Sequence, residues 1–228
     1  MGTNQSSSRR NRKIAAIAAG ALVVGLGATY TLATWTDSEW AWGGANGDPG
    51  IGTGTFEVVQ NATSPFDDAA ANWADHETAP GDELTFTAGA LALSPGDTVY
   101  APVALRTIED SEGATVTLQS AVAAAGITVD DDLGALWNAI TVSVYTEQVS
   151  APATDPTNAC DAASIADWGS PIAGITSLAT AASATQTLAA DEDSTQHYCF
   201  ALTLPTGSPD TLQGRTIAPA WEFRSTSN

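Results

Sequence analysis

Few residues of this chain have side chains suited to covalent or metal chemistry, and their spacing decides what they can do. The two histidines, His76 in WADHETAPGD and His197 in STQHYCF, lie far apart in sequence. Zinc hydrolysis needs three protein ligands and an open water position, commonly two histidines one helical turn apart with a carboxylate base nearby. No HExxH or HxxEH occurs. A composite site with Asp75, Glu77 or Asp193 lacks an ordered ligand set, so both histidines read as surface residues. Serines are frequent, yet none sits in a GxSxG elbow. Asp130, Asp131 and Asp132, like Asp191, Glu192 and Asp193, offer oxygen ligands of the kind calcium takes. A loop of alternating acidic ligands around a pivotal glycine is missing, and the clusters read as solvated turns, the first also capping a helix. The expectation is no enzyme, no catalytic residue, no cofactor and no metal ligand, with uptake of a divalent cation left open.

Cys160 and Cys199 are the only cysteines. One possible pair implies one disulfide, which closes a loop of about forty residues and stabilises by about 2–4 kcal/mol. It also removes both thiols from reactive chemistry. Trp35, Trp40 and Trp42 lie close together in WTDSEWAWGG, with Trp73 and Trp168 further on. Such aromatics serve either as a sugar-binding platform or as anchors that fill pockets in a neighbouring subunit. Trp137 and Trp221 read as core. Asn61-Ala62-Thr63 matches a glycosylation sequon, but the export signal described next looks bacterial and the match reads as chance.

Arg9, Arg10, Arg12 and Lys13 stand directly before an uncharged run from Ile14 to Thr34. A basic segment held inside the cell while an apolar run inserts is the pattern of an export signal. Thr31 and Ala33 supply the small residues a signal peptidase needs, so the expected cleavage region is Ala33, Thr34 and Trp35. Residues 1–34 are then a signal peptide, with a permanent membrane helix as the alternative. SRRNRK also has twin-arginine character, except that Arg12 falls where an apolar residue is wanted. Removing the signal takes the formal charge from −19 to about −23 and leaves only Arg106, Arg215 and Arg224 as cations. A polyanion gains no counterion-release energy on such a surface, which excludes nucleic acid, and an anionic membrane is equally unattractive. Contact with a membrane is expected only through an uncleaved signal helix. No cysteine follows the apolar run and the last residues form no apolar tail, so neither a lipid anchor nor a C-terminal anchor is expected. The location read from this is secreted or cell-surface.

The remaining chain reads as one domain, 53–228, preceded by a mature N-terminal segment, 35–52. Runs rich in Val, Thr and aromatics alternate apolar and polar residues over 53–60, 83–88, 98–106, 114–122, 139–147, 184–188, 196–204 and 216–224. Eight such runs predict an all-β, two-sheet sandwich. One short helix is predicted over 131–138 and a second over 161–167, and the loop-like stretches 61–82 and 149–184 read as insertions. Period-two alternation sets the faces. Val116, Leu118 and Val122 point inward, as do Ile140, Val142 and Val144, and Val99, Val103 and Leu105. Tyr198, Phe200, Leu202 and Leu204 share the inner side, which puts Cys199 on the outer face beneath the Cys160 segment. Pro102 lacks a ladder N–H and marks an edge or a bulge, and an edge is where another chain can add.

Taken together, TLATWTD at the end of the signal, the IGTGTFEVV run, ALSPGDTVYAPVAL, and the terminal YCFALTLP and LQGRTIAPAWEF segments resemble TasA/camelysin-type proteins exported with a SipW-type signal peptidase. The resemblance covers both ends and the early core and leaves out the two insertions. It implies a jelly-roll form of the sandwich, and an extracellular-matrix or biofilm protein that polymerises by donating its mature N-terminal strand to a neighbour. The signal peptidase and further copies of the chain are then the expected partners, with Trp35, Trp40 and Trp42 as assembly residues. A secreted carbohydrate- or surface-binding module is the alternative. The metallopeptidase label attached to that family ranks behind both, because the zinc-ligand motif is missing.

Overall fold

The computed structural model describes residues 38–41, 44–45, 48–49, 52–150 and 159–228. The chain forms two compact units, 1–52 and 53–228. In the first, β1 (Gly44–Ala45) pairs antiparallel with β2 (Asp48–Pro49), Gly44 opposite Pro49. The signal run 1–34 and the residues Ala33, Thr34, Trp35 and Trp42 lie outside the described residues, whereas Trp40 is described and is 94% exposed.

The second unit is all-β. Its strands are β3 (Val58–Asn61), β4 (Thr98–Thr107), β5 (Ala114–Leu118), β6 (Val122–Ala123), β7 (Thr141–Ser150), β8 (Gln186–Leu188), β9 (Ser194–Thr203), β10 (Pro219–Ala220) and β11 (Phe223–Ser227). Every ladder between them is antiparallel, in sheets ordered β3-β4-β9-β7, β11-β5-β8 and β10-β6. The alternation that made these runs look like strands places the core. Val99, Val103 and Leu105 of β4, Val142 and Val144 of β7, and Tyr198, Phe200 and Leu202 of β9 join Val116 and Leu118 of β5 and Leu188 of β8 in one buried cluster. The result is a sandwich-like arrangement around a single apolar core.

Several expected strands behave differently: 53–60 is strand only from Val58, and 216–224 divides into β10, paired with β6, and β11, paired with β5. The 83–88 run keeps its alternation, Leu84 and Phe86 packing on the core while Glu83, Thr85 and Thr87 face water. It is no strand, because its backbone reaches a neighbour only where Thr87 donates its N–H to the Tyr100 carbonyl at 2.8 Å. The 114–122 run breaks after Leu118. Ala121 turns inward and donates its N–H to Leu178 O at 2.8 Å, a slip of one residue that leaves Val122 55% exposed on β6 rather than inward.

Pro102 lies in a strand flanked on both sides, yet the edge reading holds for half of that strand. β3 covers β4 only from Ala104 to Thr107. Tyr100 N and O bond Thr87, so the backbone groups of even-numbered residues point away from β9. The missing N–H of Pro102 therefore faces the side where β3 has already ended, and no ladder bond is lost.

The expected helix over 131–138 is a 3-10 turn (Asp132–Gly134) followed by α1 (Ala135–Ala139). The Asp131 carboxylate accepts the N–H of Leu136 at 2.8 Å and of Trp137 at 2.9 Å, which makes the first acidic cluster a cap. Around 161–167 only a 3-10 turn, Ser164–Ala166, forms.

Candidate functional site

Among the described residues, a groove of about 1570 Å³ runs along one side of the second unit, over core residues that are themselves buried. Its floor is the inner row of β4, Val99, Val103 and Leu105, with Leu202, Leu136 and Ile140. One wall is the 78–86 segment, which brings in Leu84 and Phe86, and the other is β10–β11 with Pro219, Ala220, Trp221 and Phe223. Aromatic packing fixes that second wall: Phe200 and Trp221 have centroids 4.6 Å apart, and Tyr198 and Phe223 4.9 Å. Of the exposed large hydrophobics among the described residues, Phe56, Leu91, Val122 and Ile127 line this groove, Leu91 at 93% exposure, whereas Trp40, Val129 and Leu133 do not. Apolar side chains left in water around one cleft are the mark of an interaction site.

The groove also has an unpaired strand along it. β11 pairs with β5 on one side and with no strand on the other among the described residues. Gln119 donates to Glu222 O at 2.9 Å and Asn228 to Gly113 O at 3.0 Å, so the even-numbered residues of this stretch bond β5. The N–H and C=O groups of Phe223, Ser225 and Ser227 point the opposite way, along the free edge. An edge of this kind is where another strand can add.

Two insertions are fastened to the outer face of the four-stranded sheet. The Arg106 guanidinium lies 4.2 Å over the Trp73 ring and bridges Asp68 and Glu192, each at 3.5 Å, tying the 61–82 insertion and the turn before β9 to β4. Trp73 Nε1 donates to Asp68 at 3.0 Å, and Arg106 Nε is buried without a partner. The second insertion is held by the bond between Cys160 and Cys199, whose Cα atoms are 5.3 Å apart.

His197 lies between these anchors. It is 3% exposed, so the reading of a surface histidine was wrong: the alternation did put it opposite Tyr198, but the insertions bury that face too. Phe66 meets its ring edge-on at 4.6 Å and Trp168 at 6.5 Å. Burial lowers its pKa to about 4, with the Asp68 charge acting in the opposite sense, and the ring is neutral at ordinary pH. Nearby, burial raises the Tyr100 pKa, aided by Tyr145 and Asp161. Tyr198, in the core, has its hydroxyl buried without a partner and its pKa raised by burial.

These positions sort the residues singled out from sequence. His76 lines the groove while His197 is on the outer face of the sheet, so the two do not converge. Trp73 and Trp168 are half-buried under Arg106 and beside His197, and Asn61 is fully buried with its amide donating to Asp67 O at 2.9 Å, inside rather than offered to a modifying enzyme. Among the described residues, no group of three or more His, Cys, Asp or Glu is placed to hold a metal ion. The groove was not foreseen. Its one trace in the sequence is the apolar pair Leu91 and Leu93 beside the SPGD turn, with no strand pattern to bury Leu91. No protein-family model matches this chain, and no curated protein matches it.

Proposed function

We propose that this protein is an exported structural component of a cell surface or extracellular matrix, a jelly-roll-type domain that polymerises by strand addition, in keeping with its resemblance to TasA/camelysin-type proteins. The observation that carries the reading is the free edge of β11 running beside an apolar groove. The occupant is the 35–52 segment of a second copy. In an extended strand Trp40 and Trp42, two residues apart, would project to one side, and Trp40 is exposed. A large side chain buried in the groove contributes about 1.5–3 kcal/mol, and the added backbone satisfies the β11 edge. The acceptor is therefore moved from the Pro102 edge of β4, where Thr87 already bonds Tyr100, to β11.

Comparing a chain that starts at Trp35 with one that starts at Gly52 tests this. The longer chain is expected to polymerise in light scattering; the shorter is expected to stay monomeric with an unchanged circular dichroism spectrum. Normal polymers from the shorter chain exclude strand donation by this segment. Unfolding of the shorter chain would instead assign the segment to its own domain's sheet.

A further inference from the structure

Around the mouth of the groove acidic side chains outnumber basic ones. The exposed loop beside β3 places Asp75, Glu77, Asp82 and Glu83 along it. The two arginines that line the groove are already paired, Arg224 with Glu222 at 3.0 Å and Arg215 with Asp131 at 3.4 Å. The 35–52 segment carries Asp37, Glu39 and Asp48 and no basic residue.

We infer that like-charge repulsion at this mouth makes ionic strength the gate on assembly: the 35–52 segment of one copy enters the groove of the next only when salt screens the four acidic side chains. This rests on the strand-addition reading and names its regulation. The Debye length falls from about 10 Å at 0.1 M salt to about 3 Å at 1 M, so charges that face each other across a groove mouth interact at the first concentration and scarcely at the second. Fields of this kind change association rates by about 10- to 1000-fold. The apolar floor and the β11 backbone, which hold a strand once it is in, carry no net charge. Salt therefore acts on the rate of growth more than on the lifetime of the finished contact.

The experiment follows growth of the chain starting at Trp35 by light scattering from 0.05 to 1 M NaCl. Three variants are run beside it, each checked by circular dichroism. The first, D75N/E77Q/D82N/E83Q, neutralises the mouth. The second, E109Q/D167N/D193N/D210N, removes the same charge from exposed positions outside the groove. The third, D37K/E39K, reverses the incoming segment and leaves the domain untouched. The native chain is expected to speed up about 10-fold or more across the series, the first variant to grow rapidly even at 0.05 M, the second to follow the native chain, and the third to slow as salt rises. Equal acceleration by the first two variants, or native growth that ignores salt, overturns the gate and leaves strand addition standing. Absence of polymer from every chain at every salt concentration overturns strand addition, and the gate with it.

Discussion

The two faces of β4 end in opposite conditions although one strand makes both. On its outer face two insertions are fastened, one through the ion-paired and ring-stacked Arg106 and the other through the disulfide at Cys199, the residue opposite Pro102. Its inner residues Val99, Val103 and Leu105 are buried in the core, beneath a groove that runs beside a strand edge with no partner strand among the described residues. The polar and redox-capable side chains, which look most like chemistry in the sequence, are thus engaged in anchoring. The proposed docking side is the other one, where the groove lies. Changes to the closed face should accordingly alter stability and spare assembly, and changes to the open side should do the reverse.

The largest effect expected on the closed face comes from the disulfide. A loop closed over a separation of 39 residues constrains the unfolded chain by about 4 kcal/mol in the entropic model. C160S/C199S, or reduction of the native protein, should lower Tm by about 8–16 °C and leave polymer formation in the cold unchanged. Loss of polymer at a temperature where the variant is still folded would show that the two faces are coupled.

His197 gives the next effect. Its folded pKa of about 4 lies below the ordinary histidine value of 6.5, so between those values the unfolded chain binds a proton that the folded chain refuses. Stability from this group is complete above pH 6.5 and is lost as the pH falls toward 4. Between pH 6.5 and 5, above the range of ordinary carboxylates, the loss is on the order of 1–2 kcal/mol. Thermal melts across that window should show a slope in the native protein that H197Q lacks. Identical slopes would mean that the imidazole is not buried as a neutral group.

Legibility in the sequence followed how local each feature is. Strands β4, β7 and β9 could be read because each is long and rich in apolar and aromatic residues, and the inner rows of Val142, Val144, Phe200 and Leu202 followed from period two. Alternation reports burial and not pairing, which is why 83–88 looked like a strand and is instead an extended wall of the groove. It is equally blind to a cover on the far side, which is why His197 was placed in water. The groove itself unites residues near 56, 84–93, 122–127 and 217–225, and no window of sequence contains that set. The disulfide was legible because two cysteines allow one pairing.

The open side is tested most directly at Ser225, whose backbone N–H points along the free edge and not to β5. Proline there removes the donor an added strand would use and costs β11 none of its own ladder. Light scattering of S225P, started at Trp35 and compared with the native chain at the same salt, should show a folded protein with native Tm that does not polymerise. Polymers growing at the native rate from folded S225P would contradict the assignment of β11 as the acceptor edge.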